Sequence, residues 1–220
     1  RDVPAGDIGV GAREIGYMHG RLMELTNRFT GTLTGKGLSY GGSLIRAEAT
    51  GYGTVYFINQ MLQHRGDALS DKTVAISGSG NVALYAAEKA IDLGAKVITL
   101  SDSGGFIYSK QGFSTELLEA LKAHKFENYG RLQAFADDHQ LDFHKDQSPW
   151  IVVADVALPC ATQNELLLEH AKTLVNNGCI VVAEGANMPT TPEAVECFQS
   201  SGVLYAPGKA SNAGGVAVSG

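Results

Sequence analysis

Apolar residues recur along this chain with two distinct periods. Ile15, Met18, Leu22 and Leu25 fall at helix-face spacing, and Val55, Ile58, Met61 and Leu62 repeat that pattern up to the polar stretch His64-Arg65-Gly66-Asp67, where the second helix is predicted to end. From Thr73 onward short β-rich runs alternate with longer helical ones, the runs being 73–77, 96–100, 154–158, 180–183 and 202–205. Such alternation marks βαβ units and a mostly parallel sheet, so a doubly wound α/β fold is predicted. Two helix starts have chemical support: Thr162-Gln163-Asn164-Glu165 is a capping-box pattern, and Thr191-Pro192 places proline in a first helical turn. Residues 1–46 are glycine-rich and broken, and read as a short piece of another unit that borders residues 47–220.

Composition narrows the function classes. With 220 residues and 44% hydrophobic content the chain can bury a sizeable core. A net charge of −6 without any Lys/Arg-rich run argues against nucleic-acid or anionic-membrane partners, which need a clustered cationic footprint. Nor does any apolar run approach the roughly 20 residues that a membrane helix requires. Cys160, Cys179 and Cys197 are widely spaced and form no CxxC pair, so neither a disulfide framework nor a metal site is suggested, and reduced thiols in a cytoplasmic protein are expected. The chain opens at Arg1 without a methionine and stops at Val218-Ser219-Gly220, which reads as an excerpt of a longer protein.

The sharpest chemical feature is a glycine turn. Strand 73–77 runs directly into Gly78-Ser79-Gly80-Asn81-Val82-Ala83, and a helical pattern (Val82, Ala86, Ala90, Leu93) follows. A dinucleotide pyrophosphate needs a tight turn at Gly78, a close backbone approach at Gly80 and a small residue at Ala83, where helix meets strand. Phosphate then rests on the helix N-terminus, whose unpaired N–H groups and dipole favour anions. This is the pattern of a Rossmann-type domain. The next strand ends at Ser101-Asp102-Ser103, and Asp102 lies 22 positions past Gly80 (102 minus 80), where an acid holds the adenosine ribose hydroxyls and suggests NAD. A 2′-phosphate would instead call for hydroxyls or cations, which Ser101, Ser103, Lys125 and Arg131 offer if the chain folds them towards the pocket.

Several further segments resemble one family in order along almost the whole chain: Asp2-Val3-Pro4-Ala5-Gly6-Asp7-Ile8-Gly9-Val10-Gly11, Thr34-Gly35-Lys36-Gly37, Glu48-Ala49-Thr50-Gly51-Tyr52-Gly53, Leu158-Pro159-Cys160-Ala161-Thr162-Gln163-Asn164, Glu184-Gly185-Ala186-Asn187-Met188-Pro189-Thr190-Thr191 and Asn212-Ala213-Gly214-Gly215-Val216. All are similar to the hexameric class of glutamate dehydrogenases. More distant leucine, phenylalanine and valine dehydrogenases share the scheme but not these long stretches.

The resemblance implies roles residue by residue. Asp7 corresponds to the catalytic carboxylate that moves protons between the substrate amine and water, and Gly6 to backbone lining the substrate site. Ser219 corresponds to a hydroxyl that binds the far carboxylate of glutamate and so favours a diacid over an apolar amino acid. Thr50 and Asn81 correspond to cofactor contacts, at the nicotinamide end and in the phosphate turn respectively. Ala161 and Asn187 follow strands, at the carboxyl ends where open α/β sheets bind ligands, and border the nicotinamide. The family's catalytic lysine and its α-carboxylate lysines belong to a segment preceding Arg1, and Lys36 falls in a different, structural segment. Ser101-Asp102-Ser103 resembles NADP-preferring members more than NAD-preferring ones, with Lys125 and Arg131 near their phosphate-facing cations. An acid beside a phosphate of about −2 charge is unfavourable unless it points away or serves a hydroxyl. The implied activity is reversible conversion of L-glutamate to 2-oxoglutarate and ammonium with NADP in a homo-oligomer, a hexamer in the family. The alternatives are a dinucleotide-binding module without turnover and a related apolar amino acid dehydrogenase.

Overall fold

The computed structural model describes residues 3–7 and 9–219; Asp2 and Ile8 of the opening motif, and the outermost residues Arg1 and Gly220 of the two expected units, lie outside them. Helix α1 (Ala12–Thr26) precedes a loop-rich stretch with one 3-10 turn, Leu38–Tyr40. The long α2 (Arg46–His64) then leads into β1 (Thr73–Ile76), α3 (Asn81–Asp92), β2 (Lys96–Asp102), β3 (Gly105–Tyr108), α4 (Thr115–Phe126), α5 (Leu132–His139) and β4 (Asp142–Lys145). A second half follows: β5 (Val156–Leu158), α6 (Leu168–Asn176), β6 (Val181–Ala183), α7 (Pro192–Ser200), β7 (Leu204–Ala206) and the short helices α8 (Gly208–Ser211) and α9 (Gly214–Ser219).

The seven strands form one sheet in the order β4-β3-β2-β1-β5-β6-β7. Strands β2, β1, β5, β6 and β7 are parallel, and β3 and β4 extend the sheet antiparallel. Successive side chains alternate between two cores, as the pleat requires. Val74, Ile76, Val156, Leu158, Val181 and Ala183 enter the core under α2 to α5, whereas Ala75, Ala157 and Val182 enter the one formed with Trp150, Leu174, Ala194 and Phe198. From β1 the chain goes to β2 on one side and later returns to β5 on the other. The carboxyl ends of β1 and β5 therefore flank the switch point where such sheets open a ligand crevice.

The doubly wound, Rossmann-type fold agrees with the sequence reading, and the five predicted strands are all present with ends shifted by up to two residues. Two features differ. Strands β3 and β4 have no parallel-strand signature: β3 follows a glycine turn, and β4 is the polar edge Asp142-Phe143-His144-Lys145, whose charged ends suit a strand with an unpaired side. Residues 162–165 begin no helix; α6 starts at Leu168, because Glu165 turns its carboxyl back into the fold instead of capping outward. By contrast Pro192 does occupy the first turn of α7.

Candidate functional site

The glycine turn stands at the switch point. Gly78 has φ +88°, a left-handed conformation that favours glycine, and a Cβ there would lie 2.9 Å from the carbonyl oxygen of Cys160. Its N–H donates to Ser101 Oγ at 2.8 Å, while its carbonyl accepts from Ser101 N at 3.0 Å, so the turn is pinned to the end of β2. Gly80 caps α3 with open space where a side chain would stand, Asn81 is exposed at the first helical position, and Ala83 is fully buried where helix meets sheet. The first N–H groups of α3 thus face an unobstructed surface, and a phosphate fits that arrangement.

Next to this turn lie the groups expected near an adenosine ribose. Asp102 accepts from Gly104 N–H at 2.8 Å through Oδ1 and from Leu132 N–H at 3.1 Å through Oδ2, with Arg131 3.8 Å away. Its side chain is only 9% exposed, so protein donors already answer most of its charge. Lys125 donates to the Gly130 carbonyl at 2.8 Å; burial lowers its pKa, with Asp102 opposing and Arg131 adding to that shift. The Arg131 side chain is 70% exposed and Ser103 is exposed. Asp102, Lys125 and Arg131 therefore form one cluster, with the Arg131 guanidinium exposed at its rim.

On the other side of the turn, Ala161 follows β5, half-buried, and gives its N–H to Glu165. Asn187 is exposed, and its Oδ1 accepts from Asn212 Nδ2 at 2.8 Å. The loop carrying Asn187 is held by buried Glu184, which accepts from Thr190 N–H, Tyr205 O–H and Gly208 N–H. Burial first, then the bond to Glu184, pushes the Tyr205 phenol up.

Thr50 sits in α2 against α9, close to Gly215. One turn earlier, Arg46 Nε donates to Ser219 Oγ across the same helix pair. Val3, Thr34, Lys36, Arg46 and Ser219 share the lining of a polar cavity of about 80 Å³. The opening segment reaches this cavity through Pro4, whose carbonyl accepts from Thr34 N–H at 3.2 Å. Gly6 and Asp7 are exposed on that segment, and the Asp7 carbonyl accepts from Val10 N–H at 2.9 Å. Lys36 donates to the Gly31 and Leu33 carbonyls and so braces its own loop. A larger cavity, about 620 Å³ and lined by Tyr56, Phe57, Met61 and Leu204, includes none of the candidate residues.

Sequence reasoning missed two groups. Arg46 is a cation in the first turn of α2, where the helix dipole opposes it, and Ile45 before it holds φ 62°, strained for a β-branched residue. Of these, only the cation at the helix start is legible in the sequence. Glu165 was visible but read as a cap; burial pushes its acid up to about 7, against the lowering effect of Ser77 and of the Ala161 and Thr162 N–H groups.

Sheet order and glycine turn define a dinucleotide-binding α/β class. The chain belongs to the Glutamate/Leucine/Phenylalanine/Valine dehydrogenase family, which matches residues 41–220. Over its whole length it is 56% identical to the NADP-specific glutamate dehydrogenase of Haemophilus influenzae and 55% identical to the NAD(P)-specific glutamate dehydrogenase of Xylanibacter ruminicola. It spans about half the length of these curated relatives, 49% of each. The crystal structure of Plasmodium falciparum glutamate dehydrogenase superimposes with a TM-score of 0.94 at 50% identity, covering 99% of this chain and 47% of that one.

Proposed function

We propose that residues 47–220 form the NADP-binding unit of a glutamate dehydrogenase and residues 1–46 the end of its substrate unit, contributing one wall of the active-site cleft. The reaction is reversible: L-glutamate, NADP and water give 2-oxoglutarate, ammonium, NADPH and a proton. The observation that carries this reading is the glycine turn, packed on the Cys160–Ala161 loop at the switch point, in a chain 56% identical to an NADP-specific glutamate dehydrogenase. Bound there, NADP would supply the hydride acceptor.

Each side chain then has a task. Asp7 exchanges protons with the substrate amine and the reacting water. Arg46 and Ser219 together present a guanidinium and a hydroxyl, a donor set suited to a carboxylate, which favours a diacid over an apolar substrate. Thr50, Ala161 and Asn187 border the nicotinamide, and Gly6 lines the substrate site with backbone. Ser103, Lys125 and Arg131 receive a 2′-phosphate, while the Asp102 carboxylate is held by the Gly104 and Leu132 N–H groups beside the Arg131 guanidinium, which offsets its charge. NAD remains a second cofactor. The working protein is a cytoplasmic homo-hexamer.

In the full-length enzyme, Asp7→Asn should lower kcat by about 10²–10⁴-fold with NADPH affinity unchanged. Near-normal turnover would contradict the assignment. A second reading is a dinucleotide-binding module without turnover of its own, for which the glycine turn alone would suffice. Glutamate turnover by the 220-residue chain would exclude that reading.

A further inference from the structure

Beneath the crevice, one carboxyl joins the two loops that flank the switch point. Ser77, the residue before Gly78, donates its hydroxyl to Glu165 Oε1 at 2.8 Å. The same Ser77 oxygen accepts from Cys160 N–H at 3.0 Å, and Glu165 Oε1 also accepts from Ala161 N–H at 3.0 Å. The phosphate turn and the loop on the nicotinamide side therefore hang on a single oxygen. Glu165 as a residue is half-buried, but its carboxyl is enclosed, and none of the ion pairs among the described residues includes it.

Among the described residues, the titratable groups facing it supply no compensating cation. On the β5 side stands the Cys160 thiol, whose pKa burial pushes far up, so it stays neutral. On the α6 side His170 faces the Glu165 backbone and accepts from Leu167 N–H through Nδ1; burial lowers its pKa, which keeps it neutral near pH 7. The Ser77 hydroxyl and the Ala161 and Thr162 N–H groups favour the ionised carboxylate, but no cation pairs with it in this poorly solvated place, close to where two phosphates arrive.

From this geometry we propose that Glu165 is a proton-linked positioning residue: it takes up a proton when a dinucleotide binds, and in that neutral form holds the phosphate turn and the Cys160–Thr162 loop in register. Burial has already brought the acid to about 7, so the uptake falls at neutral pH. The inference rests on the dinucleotide-binding reading above.

The test is NADPH binding to the 220-residue chain from pH 6 to pH 9, by fluorescence titration, with calorimetry in buffers of different ionisation enthalpy to count protons. Each unit by which the ligand raises the acid's midpoint weakens binding about tenfold across this range. The wild type should take up part of a proton near pH 8, and Glu165→Gln, which keeps the acceptor oxygen, should bind with a flatter profile and without that uptake. NADH serves as a control, because its lack of a 2′-phosphate removes the ligand's own titration near pH 6. Ser77→Ala, which deletes a bond favouring the ionised form, should move the inflection to higher pH and guards against a poorly folded Gln variant. Identical pH slopes and proton counts in wild type and Glu165→Gln would overturn the inference while leaving dinucleotide binding intact. Failure of the wild type to bind either dinucleotide would overturn both.

Discussion

Among described residues 3–45 only Ile15, His19 and Leu33 are buried, while Met18, Leu25, Phe29, Leu38 and Leu44 stay exposed; in residues 46–219 the strands β1, β2, β5 and β6 are buried on both faces. A sheet between two helical layers buries every other side chain on each side, so its fold is over-determined by packing. The opening segment has one amphipathic helix and polar or aromatic tethers instead. His19 Nε2 pairs with the Thr30 carbonyl at 3.3 Å between the rings of Phe29 and Tyr40, Arg46 reaches Ser219, and the Arg13 guanidinium lies 4.3 Å from the Tyr129 ring centroid. The proposed cofactor crevice thus lies in the densely packed part, and the wall proposed to carry the proton-transfer acid Asp7 lies in the part with few buried apolar residues. Regions with few buried apolar contacts open at low free-energy cost.

The comparison breaks most readily at the core. Ile58→Ala or Leu84→Ala, both in the core under α2 and α3, should cost about 2–5 kcal/mol in denaturant unfolding of the chain. Ile15→Ala should cost distinctly less and leave NADPH affinity unchanged; an equal loss at Ile15 would mean that the two regions unfold as one.

A somewhat smaller effect comes from pH. Native Glu165 titrates at about 7 against an ordinary 4.5, so between those values the folded chain keeps a proton that the unfolded chain has released. Stability then falls as pH rises through this window, by up to about 3 kcal/mol once above it. Glu165→Gln should remove that decline, and unfolding curves at pH 5 and pH 8.5 would show the variant gaining on the wild type only at the higher pH. The smallest effect is expected at the Arg13–Tyr129 contact, which is exposed: Arg13→Ala should leave the unfolding midpoint almost unchanged. A larger loss would make that contact a principal tether between the regions.

Legibility in the sequence followed the same division. The parallel strands and α3 could be read because two-sided burial leaves continuous apolar runs, and the glycine turn because a pyrophosphate imposes glycine at fixed offsets. Strand β4 escaped because an edge strand carries polar residues, and the Thr162–Glu165 pattern misled because a capping box and a buried carboxyl strut use the same residue types. Arg46 and Ser219 are 173 positions apart, so only folding brings them together. Asp102 could be located by its spacing, but not the backbone donors at Gly104 and Leu132 that take up its charge.

The most direct test of the central claim is the affinity of the 220-residue chain for NADPH against NADH at one pH and salt concentration, repeated with Arg131→Ala. Binding of NADPH at least about tenfold tighter than NADH, with most of that preference lost on removing the rim guanidinium, is the expected result. Absence of binding, or a clear preference for NADH that Arg131→Ala leaves untouched, would contradict it.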